Sequence, residues 1–246
     1  MRINYLFIVI LFLLVIISVK TCFANVSNYN VFNPGSYSPP KAAMLKEQIL
    51  FIVDCSNSMN EILGTKSKID MAKETLARVL PRLSPSISIG MRVYGHKNGF
   101  LPSQSCTASE LITPISKNSN TAIQNRLIGL EARGWTPITY SLKQAINYDF
   151  AGFGGPKRII LLSDGGENCD ESPCDYAIDL MKTRDDIKID VIAFNIDDDD
   201  ANNQLKCAAL VTSGKFYSAN TAAELSNSIM DSLNIEKDVQ GFVIKK

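Results

Sequence analysis

The sequence has few of the side chains on which hydrolytic enzymes usually depend. It contains one histidine, His96, and one tryptophan among 246 residues. It has no Gly-x-Ser-x-Gly segment, which presents the nucleophile of many serine hydrolases, and no Gly-x-x-x-x-Gly-Lys-Ser/Thr loop for nucleotide phosphates. We therefore expect a protein that is not an enzyme, in which His96 has a surface or packing role.

An excess of charge of one sign is also absent. Lys and Arg together number 25, and Asp and Glu together number 25. Removal of residues 1–24, a predicted leader, takes away Arg2 and Lys20 and leaves 23 basic side chains against 25 acidic ones. Proteins that bind nucleic acid through charge carry a basic surface, so we expect no nucleic-acid partner.

Long apolar runs are limited to one, at the N-terminus. Tyr5–Val19 is almost wholly apolar, follows a short basic start and precedes the small residue Ala24. This order is typical of a secretory signal peptide over residues 1–24. An uncleaved membrane anchor is the alternative, although the run is shorter than the about 20 residues that span a bilayer. We expect export to a periplasm or the cell exterior, a linker or extended arm over residues 25–45, and a mature chain that does not span the membrane.

Cysteine is sparse, but its number is informative in an exported chain. The predicted mature chain contains five: Cys55, Cys106, Cys169, Cys174 and Cys207. Export favours disulfide bonds, and an odd number leaves at least one thiol free or bonded to another chain. A zinc site is the alternative. The chain lacks the close Cys-x-x-Cys pair of such sites and has a single histidine, which disfavours zinc.

Strand and helix patterns alternate through the rest of the chain. Apolar runs typical of buried strands, such as Ile49–Val53, are followed by apolar residues at helical spacing, as in Lys68–Leu83. The alternation predicts a doubly wound α/β fold, with a mostly parallel central sheet and helices on both faces. Ile87–Val93 and Leu111–Ile115 have no predicted helix between them, so we expect one antiparallel edge strand. The predicted division is a domain over residues 46–234 and a C-terminal tail over residues 235–246.

Helix ends are predicted at two polar segments. A helix over Thr121–Arg133 should end at Gly134, and Thr136 suits the cap of the next helix, with Pro137 at its first position. The run Asp197–Asp200 precedes another helix. We favour charge compensation at that helix N-terminus over a calcium site.

Oxygen-bearing side chains follow two of the predicted strands. Ile49–Val53 ends at Asp54, and Ser56 and Ser58 come at alternate positions after it. A second strand, Arg158–Ser163, ends at Asp164. Doubly wound sheets bind ligands beyond the carboxyl ends of their strands. Hydroxyl and carboxylate oxygens are the ligands that hard divalent cations prefer, so these side chains are candidates for a metal site.

The pattern resembles the metal-ion-dependent adhesion site (MIDAS) of von Willebrand factor type A domains. The segment from Asp54 to Ser58 matches the family's Asp-x-Ser-x-Ser, and Thr136 and Asp164 match its other two elements in the right order. The resemblance implies that the strands ending at Asp54 and Asp164 are neighbours. It also implies one Mg²⁺, or Mn²⁺ or Ca²⁺, at a site of five residues: Asp54, Ser56, Ser58, Thr136 and Asp164.

The resemblance further implies a non-enzymatic function, metal-dependent binding of a protein whose acidic side chain completes the coordination of the ion. Two alternatives stay open. One is a magnesium-dependent hydrolase or phosphatase, although phosphatases with a strand-terminal aspartate have a second aspartate where this chain has Ser56. The other is an ion with a structural role alone. Trp135, beside Thr136, is a candidate partner contact, with packing of the loop as the alternative.

The resemblance also implies a disulfide pairing. In the family's sheet order, the strand ending at Asp164 lies beside the strand ending at Ile196, and each is followed by a helix that contains a cysteine. This order pairs Cys174 with Cys207. It leaves Cys106 to pair with Cys169, and Cys55 free beside the ion.

Overall fold

The structure, a computed structural model, describes residues 46–84 and 86–235. The predicted signal peptide (1–24), the predicted linker (25–45) and all but the first residue of the predicted tail (235–246) lie outside the described residues. Within the described ranges, no helix is both long enough and apolar enough to cross a membrane.

A six-stranded sheet forms the centre of the molecule, with the strand order β5-β4-β1-β6-β7-β8. A small hairpin, β2 and β3, follows the first strand. The strands are β1 (Gln48–Asp54), β2 (Ile62–Leu63), β3 (Lys66–Ser67), β4 (Ser88–Tyr94), β5 (Ser109–Ser116), β6 (Lys157–Ser163), β7 (Ile187–Phe194) and β8 (Phe216–Ala219).

Strand directions confirm the predicted fold class. β1 is parallel to both β4 and β6, and β7 is parallel to β6 and β8. β5 is antiparallel to β4 at one edge, as expected for two strands joined without a long crossover helix. The doubly wound, mostly parallel sheet with one antiparallel edge strand is therefore present.

Helices cover both faces of this sheet. They are α1 (Lys68–Val79), α2 (Pro102–Ser105), α3 (Asn120–Ile128), α4 (Ile138–Gln144), α5 (Pro173–Met181), α6 (Asp199–Val211) and α7 (Ala222–Ser232). Short irregular turns extend some of them, a 3₁₀ turn (Leu80–Arg82) after α1 and a π-helical turn (Ala145–Asp149) after α4.

Two apolar cores result, one on each face. Along β1, Phe51 and Val53 pack in the core that contains residues of α1, α3 and α7, whereas Leu50 and Ile52 pack in the core that contains residues of α4, α5 and α6. Every residue of β1 is buried. This explains the unbroken apolar run of β1, because a central parallel strand is covered on both faces.

One predicted helix is shorter than expected. The helix predicted to end at Arg133 ends at Ile128, and Gly129 follows it. The backbone N–H groups of Arg133 and Gly134 instead donate to the carbonyl oxygen of Gly95, at 3.1 and 2.6 Å. Long-range backbone hydrogen bonds thus replace the last helical turn, and the local sequence pattern does not contain them.

The winding of the sheet reverses at β1. The chain passes from β1 through α1 to β4 on one side, and later adds β6 on the other side. Asp54 is the last residue of β1, and Asp164 directly follows β6. Both carboxylates therefore lie at the position where doubly wound sheets commonly bind ligands.

Candidate metal centre

Three of the predicted ligands are in direct contact. The hydroxyl of Ser58 donates a hydrogen bond to Oδ1 of Asp164 at 2.7 Å, and the hydroxyl oxygens of Ser56 and Ser58 are 2.9 Å apart. Ser56 and Asp164 are buried, and Ser58 is exposed. The loop after β1 and the end of β6 thus bring two hydroxyls and one carboxylate together at the sheet edge.

Asp54 lies beneath this group and is fully buried. Its Oδ1 accepts a hydrogen bond from the backbone N–H of Ser56 at 2.7 Å. Its Oδ2 accepts from the hydroxyls of Ser163 at 2.7 Å and Tyr94 at 2.9 Å. With three donors already bound, this carboxylate suits the task of holding the Ser56 loop in place and adding charge from below.

Both carboxyl groups have raised pKa values. Burial, reinforced by the negative charge of Asp164, raises the pKa of Asp54 from 3.8 to about 6. Burial also raises the pKa of Asp164, although the hydrogen bond from Ser58 and the charge of Lys68 act in the opposite direction. Strongly shifted pKa values of neighbouring groups are common at functional sites.

Backbone contacts join the segment that contains Thr136 to the loops after β1 and β6. Ser56 and Gly134 form an isolated parallel bridge, and the N–H of Asn57 donates to the carbonyl oxygen of Gly134 at 2.9 Å. The N–H of Thr136 donates to Oδ1 of Asn168, in the loop after β6, at 2.7 Å. The structure thus places Thr136, itself buried, between the loops that carry the other four predicted ligands.

The expectation that Thr136 caps a helix is wrong. Helix α4 begins at Ile138, and Pro137 precedes it without a side-chain cap. A side chain from the loop after β6 takes this role, because Oε2 of Glu167 accepts a hydrogen bond from the N–H of Thr139 at 2.7 Å. The hydroxyl of Thr136 is therefore not used as the helix cap.

Two glycines allow these loops to approach closely. Gly95 has φ +68°, and a Cβ there would lie 2.6 Å from the carbonyl oxygen of Trp135 and 2.7 Å from the backbone nitrogen of Ser56. A Cβ on Gly134 would lie 2.6 Å from the carbonyl oxygen of Lys97. A larger residue at Gly95 would push apart the segments that carry Ser56 and Thr136, and one at Gly134 would push the Thr136 segment away from the loop after β4.

A buried lysine is part of the site. The ammonium nitrogen of Lys68, the first residue of α1, is 3.2 Å from Oδ2 of Asp164 and 2.5 Å from a carboxylate oxygen of Glu61. Burial lowers the pKa of Lys68, but the hydrogen bond to Glu61 and the charge of Asp164 outweigh it, and the net shift is upward. Lys68 is therefore a permanent cation beside the predicted ligands.

The residues present fit a hard divalent cation. Oδ2 of Asp164 is buried and accepts no hydrogen bond of regular geometry, although the Lys68 ammonium nitrogen lies 3.2 Å away. A buried carboxylate oxygen without a regular hydrogen bond is unusual, and a metal ion would satisfy it. Among the described residues, no three His, Cys, Asp or Glu side chains form a metal-binding group. The candidate donors are instead three hydroxyls with two carboxylates, which suit Mg²⁺ better than zinc.

Both implied disulfide bonds are present in the structure, Cys106–Cys169 and Cys174–Cys207. The first joins the loop after β4 to the loop after β6, next to Asn168. Cys55 is free and buried. Burial, with the nearby charge of Asp54, raises the pKa of the Cys55 thiol well above its ordinary value, which keeps it in the unreactive protonated form.

The remaining candidates lie apart from this cluster or at its rim. His96 contacts a carboxylate oxygen of Glu110 at 3.1 Å. Asp198 caps α6 by accepting hydrogen bonds from two backbone N–H groups, as expected for the acidic run before that helix. The side chain of Trp135 is 39% exposed, and Phe100, in the loop after β4, is 96% exposed.

Several site residues were not found from the sequence. They are Glu61, Lys68, Tyr94, Ser163, Glu167 and Asn168. Two of them carried a local signal: a lysine at the first position of a helix opposes the helix dipole, and Tyr94 comes directly after Val93, out of phase with the alternating apolar residues of β4. The other contacts join segments far apart in the chain, so no local pattern could show them.

Comparison with known proteins agrees with this fold. The von Willebrand factor type A domain family matches residues 48–231. The uncharacterized protein YwmD of Bacillus subtilis is 30% identical over 212 residues, which cover 84% of this chain and 90% of YwmD.

Two solved structures show the same fold. Proximal thread matrix protein 1 from the mussel byssus, solved with a zinc-occupied MIDAS motif, superposes with a TM-score of 0.58 at 19% identity, over 77% of this chain and 46% of that chain. The PilB minor pilin from Streptococcus sanguinis superposes with a TM-score of 0.59 at 16% identity, over 80% of this chain and 63% of that chain. At such identities the similarity extends to the fold alone.

Proposed function

The chain belongs to the von Willebrand factor type A family, and from this premise we propose that it binds a divalent cation and uses the ion to bind a protein partner. The proposed ligands are the hydroxyls of Ser56, Ser58 and Thr136, with Asp54 and Asp164 supplying charge directly or through water. The contact of Ser56, Ser58 and Asp164 at the point where the sheet winding reverses is the observation that carries the proposal.

The balance of charge explains why a partner is needed. Asp54 and Asp164 together match the charge of a divalent ion, and Lys68 pairs with one of them. Neutral hydroxyls make up the rest of the set, so the ion keeps affinity for a further negative ligand. We propose that an aspartate or glutamate of the partner supplies it. The zinc-occupied MIDAS of the byssus protein supports a divalent ion in this fold, and we propose Mg²⁺ as the ion, with Mn²⁺ or Ca²⁺ as substitutes.

Exposed aromatic residues at the same edge suit protein binding. Trp135 is next to Thr136 and 39% exposed, and Phe100 is 96% exposed. Large exposed aromatic side chains frequently anchor protein interfaces. We propose Trp135 as the partner contact.

The proposed location is outside the cytoplasm. Two disulfide bonds are present in the structure, and disulfides persist chiefly in oxidising compartments. The predicted signal peptide over residues 1–24 is the expected route of export. Structural neighbours that are a minor pilin and a byssus matrix protein support such a location and a non-enzymatic role.

The test compares wild type with Thr136→Ala in Mg²⁺ and in EDTA. Capture of partners from extracts of the producing cell identifies a candidate, and calorimetry measures its affinity for both proteins. Thr121→Ala, the same change on the exposed surface of α3, is the matched control. We expect binding in Mg²⁺ to be lost in EDTA, to fall strongly for Thr136→Ala and to be unchanged for Thr121→Ala.

The two alternatives give different results. Equal affinity in all conditions would place the partner elsewhere and leave the ion a structural role. Magnesium-dependent release of phosphate that disappears in Asp54→Asn would instead establish a hydrolase. Trp135→Ala should weaken partner binding without lowering the melting temperature; the reverse result would mean that Trp135 serves only to pack the loop.

A further inference from the structure

We propose that Lys68 is a built-in competitor of the metal ion: its ammonium group occupies Asp164 when the ion is absent and sets how tightly the ion binds. This inference rests on the proposed function, since it concerns the same site. The observation behind it is the position of the Lys68 ammonium nitrogen, 3.2 Å from the one Asp164 oxygen that accepts no hydrogen bond of regular geometry.

The position of Lys68 is costly for folding alone. Its side chain is 4% exposed, although lysine is rarely buried without a special partner. It is also the first residue of α1, where a positive charge opposes the helix dipole. An uncharged side chain would avoid both costs but would leave the buried Asp164 carboxylate without a cation, so the presence of lysine here is tied to Asp164.

Competition follows from electrostatics. The Asp164 side chain is fully buried, and a buried carboxylate must be neutralised by a cation. Lys68 supplies a single charge, whereas a divalent ion supplies two together with coordination to the adjacent hydroxyls. Binding of the ion therefore weakens the attraction between Lys68 and Asp164 and places two cations near each other. The site should therefore bind the ion less tightly than the same site without the lysine.

Glu61 gives the lysine an alternative partner. Its carboxylate lies 2.5 Å from the Lys68 ammonium nitrogen, and its own side chain is 64% exposed. When the ion takes over Asp164, Lys68 remains paired with Glu61. Removal of Glu61 should leave Lys68 with Asp164 alone and weaken ion binding, and the effect should be larger while Lys68 is present, because the charge of Glu61 also acts on Asp164 directly.

The test measures Mn²⁺ affinity by calorimetry and melting temperature in EDTA and in saturating Mn²⁺. The variants are Lys68→Met, Glu61→Gln and the double variant. Lys157→Met is the matched control, because Lys157 is equally buried, with 4% exposure, and pairs with Asp186 at 2.6 Å from the opposite end of the strands. Methionine keeps the length of the side chain and removes the charge.

We expect Lys68→Met to bind Mn²⁺ about tenfold more tightly, a typical size for coupling between two ligands. Both lysine variants should melt lower than wild type in EDTA. Saturating Mn²⁺ should restore the melting temperature of Lys68→Met to the ion-bound wild-type value and leave Lys157→Met below it. Glu61→Gln should weaken Mn²⁺ binding more strongly in the wild-type background than in the Lys68→Met background.

The outcomes separate this inference from the proposed function. If wild type binds Mn²⁺ and Lys68→Met binds it equally or less tightly, the lysine is structural and only this inference fails. If Lys68→Met binds Mn²⁺ and wild type does not, the inference holds and the proposed function fails for the natural chain. If neither protein binds Mn²⁺, both fail. If Lys68→Met does not fold, the Glu61→Gln variant provides the test. An Mn²⁺ affinity of Glu61→Gln equal to that of wild type would overturn the inference.

Discussion

Acidic side chains at the two ends of the sheet have opposite surroundings. At the carboxyl end, Asp54 and Asp164 are buried together, and the pKa of each is raised. At the amino end, Asp186 pairs with Arg184 at 2.8 Å and Lys157 at 2.6 Å, and the hydrogen bond from Arg184, followed by that from Lys157, holds its pKa well below its ordinary value. The carboxyl end of the sheet has too little positive charge to balance its acidic side chains, whereas the amino end has enough.

This difference distinguishes a binding site from a structural ion pair. A carboxylate with its own basic partners stabilises the fold and has no need of a ligand. Asp54 accepts hydrogen bonds from neutral groups, and Asp164 pairs with a lysine that it shares with Glu61. Two such carboxylates are stable only because the surrounding packing holds them together. The carboxyl end is therefore the place where a cation from solvent has most to add.

The largest expected effect concerns the covalent link at the carboxyl end. Replacing Cys106 and Cys169 together by alanine opens a loop with a sequence separation of 63. We expect the free energy of unfolding to fall by about 4 kcal/mol, as chain-entropy arguments give for loops of this length. Urea unfolding measures it, with wild type in reductant as the comparison. An unchanged unfolding midpoint would mean that the loops hold together without the bond.

The next largest effect is the stabilisation by the ion, which should depend on the carboxyl end of the sheet and not on the amino end. We expect Mg²⁺ or Mn²⁺ at a hundredfold excess over its dissociation constant to stabilise wild type by about 2.7 kcal/mol. Asp164→Asn should lose this gain, and Asp186→Asn should keep it, because only Asp164 is a proposed ligand of the ion. Thermal melts with the ion and with EDTA provide the measurement. A full response in Asp164→Asn would contradict the site.

A smaller effect is expected from the structural ion pair itself. Asp186 is one-third exposed, and solvent weakens its attraction to Arg184 and Lys157. Asp186→Asn should therefore lower the free energy of unfolding by about 1 kcal/mol, independently of any ion. Chemical unfolding in EDTA and in Mg²⁺ should give the same difference in free energy of unfolding between the variant and wild type. A difference that depends on the ion would mean that ion binding at the carboxyl end is energetically coupled to the ion pair at the amino end.

The last test is the dependence of stability on pH in EDTA. The pKa of Asp54 is about 6 in the folded protein and 3.8 as its ordinary value, so the folded chain holds this proton more tightly. Its contribution to stability is complete below the lower value and is lost as pH rises through about 6. Asp186, with a lowered pKa, contributes stability above its ordinary pKa that is lost as pH falls. Between pH 3.8 and about 6, the melting temperature of wild type and that of Asp54→Asn should change differently with pH. Parallel curves of melting temperature against pH would contradict the raised pKa of Asp54.

The fold and much of the candidate site could be predicted from local patterns. The apolar run of β1, buried on both faces, and the alternation with helices predicted the parallel sheet, and the missing crossover helix predicted the antiparallel edge. Asp54, Ser56 and Ser58 could be found because they follow one strand at alternate positions. The end of α3 could not be predicted in this way, because backbone hydrogen bonds to Gly95 replace the last turn of the predicted helix.

What the sequence by itself determined is the type of chemistry: oxygen donors at strand ends, an odd number of cysteines in the predicted mature chain, and a single histidine. These depend on residue identity and short spacing. Only the tertiary structure decided the electrostatics of the site. It placed Lys68 beside Asp164, Tyr94 and Ser163 beneath Asp54, and Glu167 at the start of α4 in place of Thr136. Each of these contacts joins segments distant in sequence, and in a buried setting such neighbours determine how much charge a carboxylate lacks.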